Sequence, residues 1–199
     1  MGRDQTLLAA TYGDMGLARK AGLALAGSAL IALAAQVSVP FWPVPLTLQT
    51  LAILVVGFAL GSRLGAAAVL AYLAEGAMGL PVFSNGGAGV LYMMGPTGGF
   101  LVGFVGMAWI AGAAAERGLA RGVVGTSLVA LAASAALYLP GLAWPLAVAG
   151  LLGVEAGWAG LSLAQTWQAF AAPFLLGDVV KAVIAALVVT GAWRALRRA

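Results

Sequence analysis

Charge is almost missing from this chain, and that constrains its fold more than any other feature. Of 199 residues, 8% are charged and 63% are hydrophobic, whereas an ordinary soluble domain carries roughly 25% charged residues. A soluble fold of this length has too little interior to hide so much apolar surface. The mean hydropathy of +1.04 therefore points to a bilayer as the solvent. A spanning helix needs roughly 20 apolar residues, which leaves room for about six such helices and no soluble domain.

Apolar runs bounded by turn and charge signals predict helices near 17–36, 46–62, 64–79, 98–116, 122–139 and 170–193. The expected class is an all-α membrane protein with six transmembrane helices, forming a single domain over 1–199. The opening segment MGRDQTLLAATYGDMG has no long apolar core followed by a small-residue cleavage site, so no removable leader is expected. The third helix is short and carries Glu75 near its end.

Nine of the ten basic residues fall on alternate connections: Arg3, Arg19, Lys20, Arg63, Arg117, Arg121, Arg194, Arg197 and Arg198. Short cytoplasmic loops are enriched in Lys and Arg, so this alternation places both termini inside and supports an even helix count. The connections near 37–45, 80–97 and 140–169 carry no basic residue and are expected outside, with Trp42, Trp144, Trp158 and Trp167 in or beside them. Tryptophan favours the membrane interface. The last connection contains LAWPLAVAGLLGV and is too apolar for a solvated loop, so an interfacial or re-entrant segment is expected. Small-xxx-small spacings such as Gly99 with Gly103 and Ala108 with Gly112 suit close helix packing in lipid.

Several chemistries are excluded. Cysteine and histidine are both absent, which removes disulfides, thiol nucleophiles, zinc sites and imidazole bases together. No GxxxxGK[ST] phosphate loop surrounds either lysine, so this chain is not expected to bind ATP or another cofactor itself. A pI near 10.0 does not imply nucleic acid, because the basic residues form no patch with interleaved aromatics. No metal site is expected.

The tenth basic residue is Lys181, which with Asp178 sits in PFLLGDVVKAVIAA. Both lie in the outer half of the sixth helix, and Asp178 is roughly 24 Å along the axis from Arg194. Residues three apart share a helical face, so both polar heads can enter one cavity. Intramembrane charge marks a functional site by default, the competing reading being an ion pair that locks helices together. Other polar groups gather at the same depth. VPFWPVPLTLQT brings Gln49 to the start of the second helix, as a ligand contact or as interhelical glue. The second outer connection, GLPVFSNGGAGVLYMMGPTGGF, offers Phe83, Asn85, Gly86, Gly87 and Tyr92, its glycines admitting close backbone approach or simply marking turns.

PVPLTLQ at 43–49, GLPVF with the glycine-rich stretch and GPTGGF at 79–100, and GDVVKA at 177–182 together resemble the BioY family of biotin transporters. These are substrate-binding S components of energy-coupling factor (ECF) transporters. The resemblance covers nearly the whole chain. It implies six helices in the cytoplasmic (inner) membrane of a prokaryote, biotin capture from outside, and delivery driven by a transmembrane coupling protein with two ATPase subunits that use the ATP. Membrane lipid is the remaining partner. In biotin's terms, the carboxylate suits Lys181, the ureido N–H groups suit Asp178 or Gln49, and the apolar bicycle needs Tyr92, Phe83 or a tryptophan. Which head meets which end stays open. The family's AxxxA-like face on helix one implies a contact with the coupling protein, for which Gly22 with Ala26 and Ser28 with Ala32 are the competing registers. The alternatives are an S component for a different vitamin, an intramembrane enzyme using Asp178 and Glu75, and a purely structural membrane subunit.

Overall fold

The structure is a computed structural model that describes residues 16–196. Arg3, Arg197 and Arg198, with the expected placement of the two termini, lie outside the described residues.

Helix α1 spans Leu17–Gln36, α2 Gln49–Leu60 and α3 Ser62–Ala77. A short α4, Gly89–Met93, precedes α5, Gly98–Glu116, and α6, Gly122–Ala143. After α6 come a π turn, Trp144–Val148, and a last helical turn, Ala149–Leu151. The chain then forms α7, Leu163–Phe170, and α8, Leu175–Leu196. Four stretches are long and apolar enough to cross a membrane: Leu17–Gln36, Gly98–Glu116, Gly122–Leu151 and Leu163–Leu196. Helices α2 and α3, at 12 and 16 residues, are shorter.

The expectation of a wholly helical chain needs one correction. Between α1 and α2, Ser38–Val39 (β1) pairs antiparallel with Leu46–Thr47 (β2), Ser38 facing Thr47. The intervening PFWPVP carries three prolines, which lack the N–H that a helix needs and force a turn instead. The second and last helices accordingly start later than expected, at Gln49 and Leu175.

The 140–169 segment, expected to be interfacial or re-entrant, divides into two parts. Its first part prolongs α6, and the change to π geometry falls where Pro145 cannot donate to the helical ladder. Its last part is α7, whose start is fixed by a capping box in which Ser162 and Gln165 satisfy each other's backbone N–H groups. Thr166 and Phe170 of α7 are buried while Leu163 and Trp167 are exposed, a one-sided distribution that suits an interfacial helix.

Long-range hydrogen bonds fix which helix ends share a face of the bundle. Ser28 Oγ donates to Glu75 Oε2 at 2.6 Å and the Gln36 amide at the end of α1 reaches the Phe83 carbonyl beyond α3, so α1 and α3 run side by side in the same direction. The Ser62 N–H and hydroxyl both donate to the Glu116 carboxylate, so α3 begins where α5 ends. Trp144 Nε1 donates to the Gly95 carbonyl, joining the end of α6 to the approach to α5. Tyr138 then ties the end of α6 to the start of α8 through Asp178. One end of the bundle thus collects Arg19, Lys20, Arg63, Arg117, Arg121 and Arg194, every described basic residue except Lys181.

Helix α5 is the central helix, packing on α2, α3 and α6. A Cβ on Gly99 or Gly103 would run into Leu137, Pro140 or Trp144, and one on Gly112 into the Gly61–Ser62 backbone. The small stripe is therefore what lets α6 and the α2–α3 joint approach, as close packing in lipid requires.

Candidate functional site

A cavity opens at the end of the bundle opposite the basic residues. Its empty space, counted together with the open solvent at its mouth, is about 580 Å³. Four separate regions wall it: the β2 strand and the start of α2, the turn and short helix between α3 and α5, the facing ends of α5 and α6, and the start of α8.

Asp178 and Lys181 stand on the α8 wall, 8% and 7% exposed. Lys181 Nζ lies 3.9 Å from Asp178 Oδ1, which is ion-pair contact but too long for a hydrogen bond. The other carboxylate oxygen accepts a 2.5 Å hydrogen bond from the Tyr138 hydroxyl, and the Tyr138 ring meets Phe100 edge-on. Asp178 is thus oriented by α6. The Lys181 ammonium, a group with three donors, has no hydrogen-bond acceptor among the described residues. An aspartate with one oxygen held and a lysine with its donors unused are a pair set up to take a third group.

Gln49 also lines the cavity, 5% exposed. Its Nε2 donates to the Tyr72 hydroxyl at 2.8 Å and its Oε1 accepts from Thr47 Oγ1 at 2.9 Å. It therefore glues α2 to α3 while one N–H stays unused, so the two readings of this residue coexist. Tyr92 lines the cavity as well, and burial pushes its phenol above its ordinary range.

Phe83, Asn85, Gly86 and Gly87 are not part of the cavity lining. Phe83 is fully buried behind it, stacked on Tyr92 at 5.0 Å and edge-on to Tyr72 at 5.4 Å. Asn85 sits at φ 56° and accepts a hydrogen bond from the Ser38 hydroxyl. A Cβ on Gly87 would collide with the Tyr92 ring, and one on Gly76 with the Phe83 ring. Gly76 and Gly87 thus make sockets for aromatic rings, while Gly86 and Gly89 supply the positive φ of the turn.

On α1, Gly22 and Ala26 are exposed. Ser28 is fully buried and spends its hydroxyl on Glu75, and Ala32 is half-buried. The Ser28 register therefore faces the bundle, which corrects its candidacy for an outward partner contact. The same bond engages Glu75 with a residue remote from Asp178.

Four polar wall residues escaped the sequence reading: Tyr138, Thr50, Ser84 and Thr97. Tyr138 had a signal, since a tyrosine near the outer end of the fifth expected helix lies at the depth of Asp178. Thr50 and Ser84 had none. Their hydroxyls are buried and make no hydrogen bond of good geometry, the Ser84 hydroxyl only neighbouring that of Tyr92, and of the three such atoms among the described residues only that of Thr166 is away from the cavity wall. Buried polar atoms are normally paired, so two orphans on one wall point to a polar ligand. No group of His, Cys, Asp and Glu that could hold a metal occurs among the described residues.

A family model described as the BioY family matches residues 5–198. The biotin transporter BioY of Thermotoga maritima is 42% identical over 108 residues, 51% of this chain and 64% of that protein, so this match spans just under two thirds of the relative's length. The biotin transporter BioY of Rhodobacter capsulatus is 38% identical over 175 residues, covering 83% of this chain and 88% of that protein. Among solved structures, the S component for biotin from an ECF-type ABC transporter superposes with a TM-score of 0.70 over 94% of this chain and 96% of that one. At 22% identity that likeness shows the fold.

Proposed function

The chain belongs to the BioY family, and from that premise we propose that it binds biotin for uptake across a prokaryotic membrane as the S component of an ECF-type transporter. The observation that carries this reading is the buried Asp178–Lys181 pair on the wall of a small-molecule cavity. Six crossings, α1, α2, α3, α5, α6 and α8, follow if the two short helices span together with their flanking segments. The basic end then faces the cytoplasm, by the usual bias of Lys and Arg, and the cavity faces outside. The membrane is the cytoplasmic one. ATP is used by two partner ATPase subunits acting through a coupling protein, with the exposed Gly22 and Ala26 face of α1 as the contact for that protein.

The geometry favours one orientation of biotin. Its ureido group carries two N–H donors beside a carbonyl acceptor, and the α8 wall offers the complement, a carboxylate oxygen next to an ammonium. Placing biotin's own carboxylate there would set it a few ångströms from Asp178, a like-charge contact in a poorly hydrated site. The ureido ring therefore meets Asp178 and Lys181, with Thr50, Ser84 and the free Gln49 N–H completing its polar contacts. The bicycle packs on Tyr92 and Phe100, and the valerate points to the mouth.

Tritiated biotin binding to the purified protein tests both parts. Unlabelled biotin should compete and other vitamins should not; competition by another vitamin would reassign the substrate. Biotinamide, which lacks the negative charge, should compete within about fivefold of biotin, because a valerate at the mouth is solvated and screened. A loss of hundredfold or more would instead put the carboxylate on Lys181.

A further inference from the structure

We propose that Gln36 is a latch that holds one wall of the cavity shut and so sets how long bound ligand stays. The inference rests on the functional reading above but concerns a residue outside the cavity. Gln36 is the last residue of α1. Its Nε2 reaches the Phe83 carbonyl at 3.0 Å and the Val82 carbonyl at 3.4 Å, while its Oε1 accepts the Gly86 N–H at 3.1 Å. A single amide therefore grips both sides of the 3₁₀ turn Ser84–Gly86, its nitrogen donating to the entry and its oxygen accepting from the exit.

What the turn carries makes that grip consequential. Ser84 is on the cavity wall with an unpartnered hydroxyl, and Phe83 stacks on Tyr92, also on the wall. Through Tyr72, edge-on to Phe83, the same cluster reaches Gln49. Within the turn itself the backbone is held by the Phe83 N–H to Gly87 carbonyl and Gly87 N–H to Ser84 carbonyl bonds. From α1 the only side-chain bonds to it are those of Gln36, the Ser38 to Asn85 bond lying in the following strand. Phe83 and Ser84 are buried, whereas Val82 is half-buried and Asn85 and Gly86 are exposed, so the Phe83 ring anchors the entry of the turn while its exposed exit is held by hydrogen bonds rather than by apolar burial. Such weakly packed, hydrogen-bonded segments open first. The Gln36 latch is thus a positioning residue, acting on ligand through Ser84 and Tyr92.

Removing the latch should speed ligand escape more than it slows entry. With the purified protein, Gln36→Ala should raise the dissociation rate of tritiated biotin about tenfold and change the association rate less than twofold, with the same number of sites per protein. Gln36→Glu keeps the acceptor for Gly86 and loses both donors, so an intermediate rate is expected. Because the chain has no cysteine, Ser38→Cys with Asn85→Cys can be introduced into the Gln36→Ala protein as a second clasp on the same turn. Oxidation should return dissociation toward the original rate, and reduction should release it. A Gln36→Ala protein that releases biotin at the original rate, or one whose fast release survives the oxidised clasp, overturns the proposal. Amide hydrogen exchange at Gly86 reads the latch without ligand: it should quicken in Gln36→Ala, and unchanged exchange also overturns the latch. Absence of biotin binding by the unsubstituted protein would instead sink the functional reading, leaving the exchange result to judge the latch.

Discussion

The two ends of the bundle use the same kinds of residue in opposite ways. At the basic end three hydroxyls are closed onto partners in the protein: Ser62 onto Glu116, Thr126 onto the Gly122 carbonyl and Thr190 onto the Ala186 carbonyl. At the cavity end the polar groups are left with capacity. Thr50 and Ser84 are orphaned, Lys181 has its partner at 3.9 Å, and Gln49 keeps an N–H. Satisfied polar groups in an apolar interior fix geometry, while unsatisfied ones cost free energy until something binds. One end is built to hold helices together, and the other to be completed by a ligand.

Substitutions on the α8 wall should have the largest effect on this contrast. Lys181→Ala and Asp178→Ala should each weaken biotin binding by hundredfold or more, about 2.7 kcal/mol, because each leaves the other charge buried without its partner. Undiminished affinity in a binding titration would remove the pair from the site.

Thr50→Val comes next and sharpens the assignment of orphan groups. Valine keeps the volume of threonine but deletes a buried hydroxyl that has no partner in the protein. Affinity should fall three- to tenfold, about one hydrogen bond, while the thermal midpoint of the ligand-free protein holds or rises. A loss of stability with no change in affinity would mean that the hydroxyl serves the fold.

The smallest effect is expected at the other end. Ser62→Ala removes the hydroxyl bond to Glu116 but keeps the backbone N–H bond. It should lower stability by about 1 kcal/mol, read as a lower thermal midpoint, with biotin affinity unchanged. A change in affinity there would break the division of labour between the ends.

How far the site was legible depended on the kind of residue. Asp178 and Lys181 announce themselves because a charge in an apolar chain is expensive wherever it sits. Gln49 and Tyr92 were legible for the same reason in weaker form. For Gly86 and Gly87 the sequence leaves ligand approach and plain turn both open, because glycine signals freedom of the backbone without saying in which direction. Here the Tyr92 ring takes the space beside Gly87, and Gly86 takes the positive φ of the turn. Gln36, polar but at the end of a helix, looks like an ordinary boundary residue until the turn it grips is placed beside it. The capping box at Ser162 and Gln165, which marks the start of α7, went unread within the apolar 140–169 segment.

The sequence by itself determined that the chain is made of apolar helices, that its basic residues gather at one end, and that one charged pair lies far from them. Each of these is a property of composition and spacing along a single helix, where 1.5 Å per residue converts position into depth. Only the tertiary structure decided that Tyr138 holds Asp178, that Ser28 turns inward to Glu75, and that the glycine-rich turn is a strut clasped by Gln36. Those outcomes depend on which faces meet when helices 40 or more residues apart pack together, and the rotation of a helix with small residues on several sides is settled by its neighbours.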